Sequence, residues 1–198
     1  MIKNLTLYLT IVVVIVSSSC NSTSSSSAGA ANVDLSLYTT SSVPGTNLKK
    51  VTRNHSSGEI YETGYTANGI REGSWTLYYP EAGFIQTISS YENGVFTGPF
   101  LEFDDRGRLI KQANYINNKL DGLYGEFRGG RPLKKIMYKE GAINGYVREY
   151  NSRGDITKET YYKNNVLDGT MKHFNEDGKV ILEYVYKNGE KLSGGIIE

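Results

Sequence analysis

Residues 91–103 read Tyr-Glu-Asn-Gly-Val-Phe-Thr-Gly-Pro-Phe-Leu-Glu-Phe, and this arrangement of glycines and aromatic residues recurs along most of the chain. Each copy has an Asn-Gly pair or its equivalent, a second glycine, and two aromatic or apolar residues spaced three apart. The second glycines are Gly73, Gly98, Gly122, Gly145 and Gly169, so successive copies are 25, 24, 23 and 24 residues apart. A truncated sixth copy opens with Asn188-Gly189. A period this regular indicates a repeat architecture.

Two turn signals recur in each period. One is the Asn-Gly or Asn-Asn pair, and the other follows the second aromatic residue, as in Asp104–Gly107 and Asn151–Gly154. Glycine, asparagine and aspartate tolerate the positive φ that tight hairpin connections require. Two turns of about 4–6 residues leave about 14 residues, enough for two strands of about seven. Each repeat is therefore predicted to be a β-hairpin, because glycine or asparagine interrupts every run that could form a helix.

Equivalent residues of successive hairpins are expected to form rows across a sheet. The second aromatic position is always tyrosine or phenylalanine, and aromatic neighbours in a sheet stabilise each other by about 0.2–1 kcal/mol per pair. We therefore expect this position to serve packing. Its members are Tyr78, Phe103, Phe127, Tyr150 and Phe174.

The first aromatic position changes gradually from broad rings to aliphatic groups. Its members are Trp75, Phe100, Tyr124, Val147 and Met171. Residues three apart in a strand point to opposite faces unless a bulge intervenes, so this row is expected on the other face. With strands about 4.8 Å apart, Trp75, Phe100 and Tyr124 would span on the order of 20 Å. We expect these three residues to form an exposed strip that binds a partner.

The first 19 residues have the features of a targeting segment. Lys3 precedes a mainly apolar run, residues 5–16, which is too short for a membrane-spanning helix, and small residues then lead to Cys20. This pattern resembles a bacterial lipoprotein signal, although Ser17 stands where that family usually has leucine. The resemblance implies that Cys20 is acylated and becomes the lipid attachment site. The alternative is an ordinary secretory signal followed by a cysteine that is not modified. Acylation, however, would explain why an exported chain has a single cysteine.

Residues 20–47 are predicted to be a lipidated, flexible tether. Serine, threonine, alanine, glycine and asparagine dominate this stretch, and it has too few apolar side chains to offset the entropy of ordering. The repeat domain is placed at residues 48–198, and its degenerate first part, residues 48–58, is expected to act as an N-terminal cap.

The recurring pattern Tyr-x-x-Asn-Gly-x-x-x-Gly-x-Trp-x-x-Tyr-x-x-x-x-Gly resembles the MORN repeat. The similarity is to the bacterial variant often labelled as YwqK-type antitoxins, and it covers about residues 58–195. It implies an all-β fold in which repeated β-hairpins form an elongated, twisted, single-layer antiparallel sheet with a groove. The roles it implies are protein–protein contact, lipid-headgroup contact and scaffolding. This chain departs from the pattern at Val147 and Met171, and at Arg71. The other copies have Phe96, Leu120, Ile143 and Leu167 in place of that arginine.

Signals for catalysis are scarce. His55 and His173 are about five repeats apart, and the sequence has neither a metal-ligand spacing nor a Gly-x-Ser-x-Gly motif. Paired carboxylates such as Asp104-Asp105 fall in the recurrent turn, where aspartate is favoured by local hydrogen bonding. We therefore expect a protein that is not an enzyme and has no metal or cofactor.

The charge balance argues against nucleic acid as a partner. The chain has 22 basic and 21 acidic residues, a formal net charge of +1, and no long run of one sign. Repeat three contains a small basic patch made of Arg128, Arg131 and Lys134-Lys135, which we interpret as a solvated face.

The sequence predicts a membrane-anchored, non-catalytic binding or scaffold lipoprotein of the cell envelope. Because Ser22 and not aspartate follows Asn21, we expect the outer membrane. The expected partners are the membrane, through the anchor, and another protein or an envelope glycan or lipid. An antitoxin or immunity-type lipoprotein that neutralises a dedicated toxin is the alternative. A glycan-degrading enzyme is a third reading, for which a single-layer sheet offers no deep cleft.

Overall fold

The computed structural model describes residues 32–80 and 83–197. The predicted signal segment, Cys20 and the first part of the predicted tether lie outside these residues. Within the described ranges, no helix has both the length and the apolar character needed to cross a membrane.

The described residues form one sheet of sixteen strands. A 3-10 turn at Leu35–Leu37 precedes the first strand. The strands are β1 Thr39–Ser42, β2 Leu48–Asn54, β3 Ile60–Ala67, β4 Ile70–Tyr78, β5 Ile85–Glu92, β6 Val95–Phe96, β7 Gly98–Phe103, β8 Leu109–Ile116, β9 Lys119–Leu120, β10 Gly122–Arg128, β11 Arg131–Lys139, β12 Ala142–Tyr150, β13 Ile156–Lys163, β14 Val166–Phe174, β15 Val180–Lys187 and β16 Glu190–Ile196.

The order of strands in the sheet follows their order in the chain. Every pair is antiparallel, and the short strands β6 and β9 extend the pairing of β5 and β8. The first and last strands of this order do not pair with each other, so the sheet is open. The prediction of repeated hairpins in a single-layer antiparallel sheet is confirmed.

The Asn-Gly connections have the backbone that their sequence predicts. Asn93 and Gly94 have φ values of +49° and +77°, and Glu140 and Gly141 have +52° and +84°. Positive φ at both central residues is the requirement of a type I′ turn, whose twist matches that of the two strands it joins.

Each of these turns is also bonded to the hairpin before it. The N–H of Gly94 donates to the carbonyl of Arg71 at 2.9 Å, and the N–H of Asn118 donates to the carbonyl of Phe96 at 2.9 Å. Where asparagine replaces the turn glycine, its side chain adds a second bond, since Asn118 Oδ1 accepts from the N–H of Phe96 at 2.9 Å. Asn165 makes the equivalent bond to the N–H of Ile143 at 2.8 Å. The turns that keep the glycine gain a second bond from a carboxylate instead, since the N–H of Asn93 donates to Glu72 Oε2 at 2.9 Å and the N–H of Glu140 donates to Asp121 Oδ2 at 2.9 Å.

The connections at the other edge of the sheet are closed by a side chain. Asp104 Oδ1 accepts from the N–H groups of Arg106 at 3.0 Å and Arg108 at 2.9 Å, and Asn151 and Asn175 make similar bonds. This carboxylate therefore serves the turn, as the sequence predicts. Repeat three differs, because Gly129 and Gly130 join β10 and β11 without such a residue.

The core lies on one face of the sheet, here called face A. Its central row, here called the inner row, takes one residue from each of the successive long strands from β2 to β15, and residues from neighbouring strands lie opposite or next to each other in the register. The row consists of Val51, Gly64, Trp75, Ser89, Phe100, Ala113, Tyr124, Ile136, Val147, Thr160, Met171 and Tyr184. Among the described residues, the buried side chains all belong to this row except Thr66. From Gly64 to Tyr124, large members alternate with small ones, so that each ring in this part lies beside a residue that leaves room for it.

The second aromatic position lies on the opposite face, face B. Tyr124 contacts Glu126 on face A, whereas a Cβ at the intervening Gly125 would lie 2.9 Å from the ring of Phe127 on face B. The aromatic residues of this second position are half-buried. Each pairs with an aliphatic residue or proline just beyond a shift in register: Tyr78 with Ile85, Phe103 with Leu109, Phe127 with Pro132, Tyr150 with Ile156 and Phe174 with Val180.

The folded domain begins earlier than the sequence suggests. Residues 33–47 were expected in the tether, but β1 pairs with β2, and the N–H of Val33 donates to the carbonyl of Gly69 at 2.7 Å. Edge pairing uses backbone groups, which a polar segment also has. The ring of Tyr38 adds apolar contact by packing edge-on against Trp75, with centroids 6.2 Å apart.

Candidate binding surface

Trp75 is the centre of the core and not part of an exposed strip. Its side chain is 1% exposed, and its ring rests on Gly64, where a Cβ would lie 2.3 Å from Trp75 Cδ2. The indole Nε1–H donates to the carbonyl of Tyr65 at 2.9 Å. The expectation of exposure is wrong here because Gly64 on β3, Ser89 on β5 and the ring of Tyr38 together enclose the indole.

Arg71 covers the remaining side of this core. Its guanidinium lies 4.2 Å from the centroid of the Trp75 ring and 5.2 Å from that of Tyr91. Such stacking of a cation on aromatic rings is worth about 0.5–2 kcal/mol. The sequence shows Arg71 as a departure from the repeat pattern but does not show what it contacts.

A glutamate explains why an arginine stands at this position. Arg71 Nη2 pairs with Glu62 Oε1 at 2.9 Å, and Arg71 Nη1 donates to the hydroxyl of Tyr91 at 3.1 Å. The hydroxyl of Tyr38 donates to Glu62 Oε2 at 2.5 Å. Burial, together with this bond to the carboxylate, raises the pKa of Tyr38 to about 12. The Glu62 carboxylate thus links Tyr38, in the predicted tether, to Arg71 and, through Arg71, to Tyr91.

Phe100 belongs to a half-buried aromatic cluster next to Arg71. Phe96 stacks on Tyr115 with centroids 4.2 Å apart, and it also contacts Tyr91 at 5.4 Å and Phe100 at 5.9 Å. Phe100 meets Tyr115 edge-on at 6.3 Å. These are the offset-stacked and edge-to-face geometries that aromatic pairs prefer.

A cavity of about 220 Å³ lies on face A between Arg71 and this cluster. Its lining includes Arg71, Trp75, Ser89, Tyr91, Phe96 and Phe100. Two of the three predicted site residues, Trp75 and Phe100, therefore meet at one cavity, with Trp75 as its buried wall. Small-molecule sites measure about 300–1,000 Å³, so the size of this cavity suits a single inserted side chain better than a free ligand.

Tyr124 is outside this cavity. Its hydroxyl donates to Glu126 Oε1 at 2.9 Å, and its ring meets Tyr138 edge-on at 6.0 Å. Burial and the bond to Glu126 raise the pKa of Tyr124. The structure thus separates Tyr124 from the other two predicted residues.

A row of alternating charges follows the inner row on face A. Cross-strand pairing joins Glu102 to Lys111, Lys111 to Glu126, Glu126 to Lys134, Lys134 to Glu149 and Glu149 to Lys158. Lys111 Nζ lies 2.6 Å from Glu102 Oε2. Opposite charges across a strand pair stabilise each other. The acidic and basic side chains in this part of face A therefore offset each other's charge. This alternation of charges is not visible in the sequence, because the paired residues belong to different strands.

Comparison with known proteins gives one family match. A family model for the MORN repeat variant matches residues 167–188, which run from β14 to the asparagine of the next Asn-Gly turn. The match supports the identification of MORN-type repeats in this part of the chain. No curated protein matches the sequence.

Two solved structures are similar to part of the fold. One is a mutant of S. aureus TarM in complex with fondaparinux, alpha-GlcNAc-glycerol and UDP, with 15% identity and a TM-score of 0.36. The other is TarM itself, with 16% identity and a TM-score of 0.35. Each alignment covers 54% of this chain but only 21% of the TarM chain. The MORN-type repeat and the open β-sheet of this chain fit a binding or scaffold role.

Proposed function

We propose that this protein is a lipid-anchored, non-catalytic scaffold of the cell envelope that binds another protein through face A. The apolar run that ends at Cys20 supports the anchor, and the absence of aspartate after Asn21 favours the outer membrane. Acylation of Cys20 would place the repeat sheet beside the membrane, since multiple acyl chains give firm attachment.

The cavity between Arg71 and Phe100 is the observation that supports a protein partner. Its volume of about 220 Å³ suits one side chain, and its wall combines aromatic rings with a guanidinium. Aromatic residues and arginine are enriched at the centres of protein interfaces, where one anchoring side chain fills a pocket on the partner.

Affinity capture with a matched pair of variants tests this proposal. Arg71→Leu removes the charged wall, and leucine is compatible with the fold because Leu120 and Leu167 occupy the equivalent positions. Arg148→Leu is the control, because Arg148 and Glu159 form a similar ion pair on face B. The side chains of Arg71 and Arg148 are 32% and 31% exposed, and those of Glu62 and Glu159 are 12% and 13% exposed.

We expect Arg71→Leu to lower the amount of partner captured from detergent-solubilised envelopes, while Arg148→Leu leaves it unchanged. A Cys20→Ala bait, which is not acylated, shows whether capture depends on the anchor. The proposal is wrong if Arg71→Leu keeps full capture at an unchanged melting temperature.

A further inference from the structure

The short connection in repeat three leaves a notch in the edge of the sheet. Four residues, Arg128 to Arg131, separate Phe127 from its partner Pro132, whereas five residues separate the equivalent pairs in repeats two and four. This missing residue is the reason for the 23-residue step in the sequence. The short connection lies between the longer connections of repeats two and four, and a cavity of about 380 Å³ lies in the notch.

The notch carries the positive charge of two arginines. Arg128 and Arg131 line the cavity and are exposed, and within the described part of the chain neither forms a salt bridge. By contrast, Arg108 and Arg153 in the flanking connections are paired with aspartates. Arg131 Nη1 donates to the carbonyl of Ser152 at 2.7 Å, which holds its guanidinium against the wall of the notch.

The rest of the wall is formed by Leu133 and Tyr150, by the polar residues Asn151 and Ser152, and by the turn glycine Gly129. Leu133 and Tyr150 supply apolar surface, and Lys135 Nζ lies 5.8 Å from the centroid of the Tyr150 ring, adding a third cation nearby. A Cβ placed at Gly129 or Gly130 would meet no atom within 4 Å, so the space above the turn is accessible. Lys134, in contrast, lies opposite Glu126 and Glu149 in the strand register on face A.

We propose that this notch binds an oxyanion, a phosphate or a carboxylate, on a compact ligand whose apolar part contacts Leu133 and Tyr150. Guanidinium groups recognise both oxyanions through paired, charge-assisted hydrogen bonds. The volume lies within the range of about 300–1,000 Å³ that is typical of small-molecule sites. For Arg128 and Arg131, this proposal replaces the interpretation of the basic patch as a solvated face.

NMR titration of the full chain in neutral detergent tests the site without knowledge of the natural ligand. The probes are inorganic phosphate, phenyl phosphate and benzoate at constant ionic strength, and the amide resonances of Gly129 and Gly130 are followed. Phenyl phosphate should bind more tightly than inorganic phosphate, because only the former has a ring for Leu133 and Tyr150. Comparison of phenyl phosphate with benzoate shows whether phosphate or carboxylate is the preferred oxyanion.

Variants show whether the two arginines form the site. Arg128→Gln and Arg131→Gln should each weaken phenyl phosphate binding by roughly tenfold, the effect of losing a charged hydrogen bond. Arg106→Gln is the control, because Arg106 is an exposed arginine of the neighbouring turn that does not line the notch. The proposal is overturned if Gly129 and Gly130 do not respond up to about 10 mM of any probe. It is equally overturned if Arg106→Gln weakens binding as much as the other two changes.

Discussion

The indole of Trp75 rests on the backbone of Gly64, so closely that a Cβ at that glycine would lie 2.3 Å from Cδ2 of the ring. The two residues belong to adjacent strands, β3 and β4. A glycine in a strand normally weakens it, but here it provides the space in which the largest side chain of the core is buried. This contact fixes which side of the sheet carries the core.

The change Gly64→Ala should therefore destabilise the fold by about 1–3 kcal/mol, the usual cost of overpacking. Its matched control is Gly195→Ala in β16, because a Cβ at Gly195 would meet no atom within 4 Å. Unfolding in urea measures both variants. Equal free energies of unfolding for the two would mean that the ring does not lie on Gly64.

The change Trp75→Ala should cost about 3–5 kcal/mol, as expected for a buried aromatic residue. Phe103→Ala should cost less, because Phe103 is only half-buried on face B. This order is the reverse of the one expected from the sequence, in which the second aromatic position serves as the core. Thermal unfolding of the two variants decides between the two orders.

The change Asn118→Gly should loosen the contact between repeats two and three. Glycine keeps the positive φ of +63° at this position but removes the acceptor for the N–H of Phe96. We expect faster hydrogen exchange at the Phe96 amide and a loss of about 0.5–1.5 kcal/mol. Asn117→Gly is the control in the same turn, and a similar gain in exchange from that change would contradict the assigned role of Asn118.

The pair of Tyr38 and Glu62 should make stability depend on pH in alkaline solution. The pKa of Tyr38 is about 12 in the folded state, against an ordinary value of 10.0, because burial and the bond to Glu62 disfavour the phenolate. Below pH 10.0 both states are protonated and the contribution to stability is complete. Between these values the unfolded state loses its proton first, so stability falls as the pH rises.

The Tyr38→Phe variant cannot ionise at this position. Its free energy of unfolding should decline less steeply than that of the natural protein between pH 10.0 and about 12. Urea unfolding across this interval measures both slopes. Parallel slopes would show that burial and the bond to Glu62 do not raise the pKa of Tyr38 in the folded state.

Local signals in the sequence predict the hairpins and their turns. The Asn-Gly and Asn-Asn pairs predict type I′ connections because their backbone preference is a property of the two residues alone. Asp104 likewise closes its turn with bonds to residues two and four positions later. These features need no knowledge of the neighbouring repeat.

The burial of Trp75 and the pairing of Arg71 depend on partners that the repeat pattern does not identify. Gly64 and Ser89 come from the strands on either side, and Tyr38 comes from a segment whose composition indicates a tether. Burial of an aromatic residue in a single-layer sheet is set by such cross-strand neighbours, which one repeat does not contain. The notch at Gly129 and Gly130 is visible in the sequence only as a period shortened by one residue.

Photocrosslinking in intact cells tests most directly whether face A contacts a partner protein. The photoreactive residue p-benzoylphenylalanine is placed at position 100 or at position 103, which lie on the same strand but face opposite sides of the sheet. Both positions normally hold a half-buried phenylalanine, and only Phe100 lines the cavity beside Arg71. A light-dependent covalent adduct with another protein from position 100, with none from position 103, is the predicted result. An adduct from position 103 alone, or equal adducts from both positions, would contradict binding through face A.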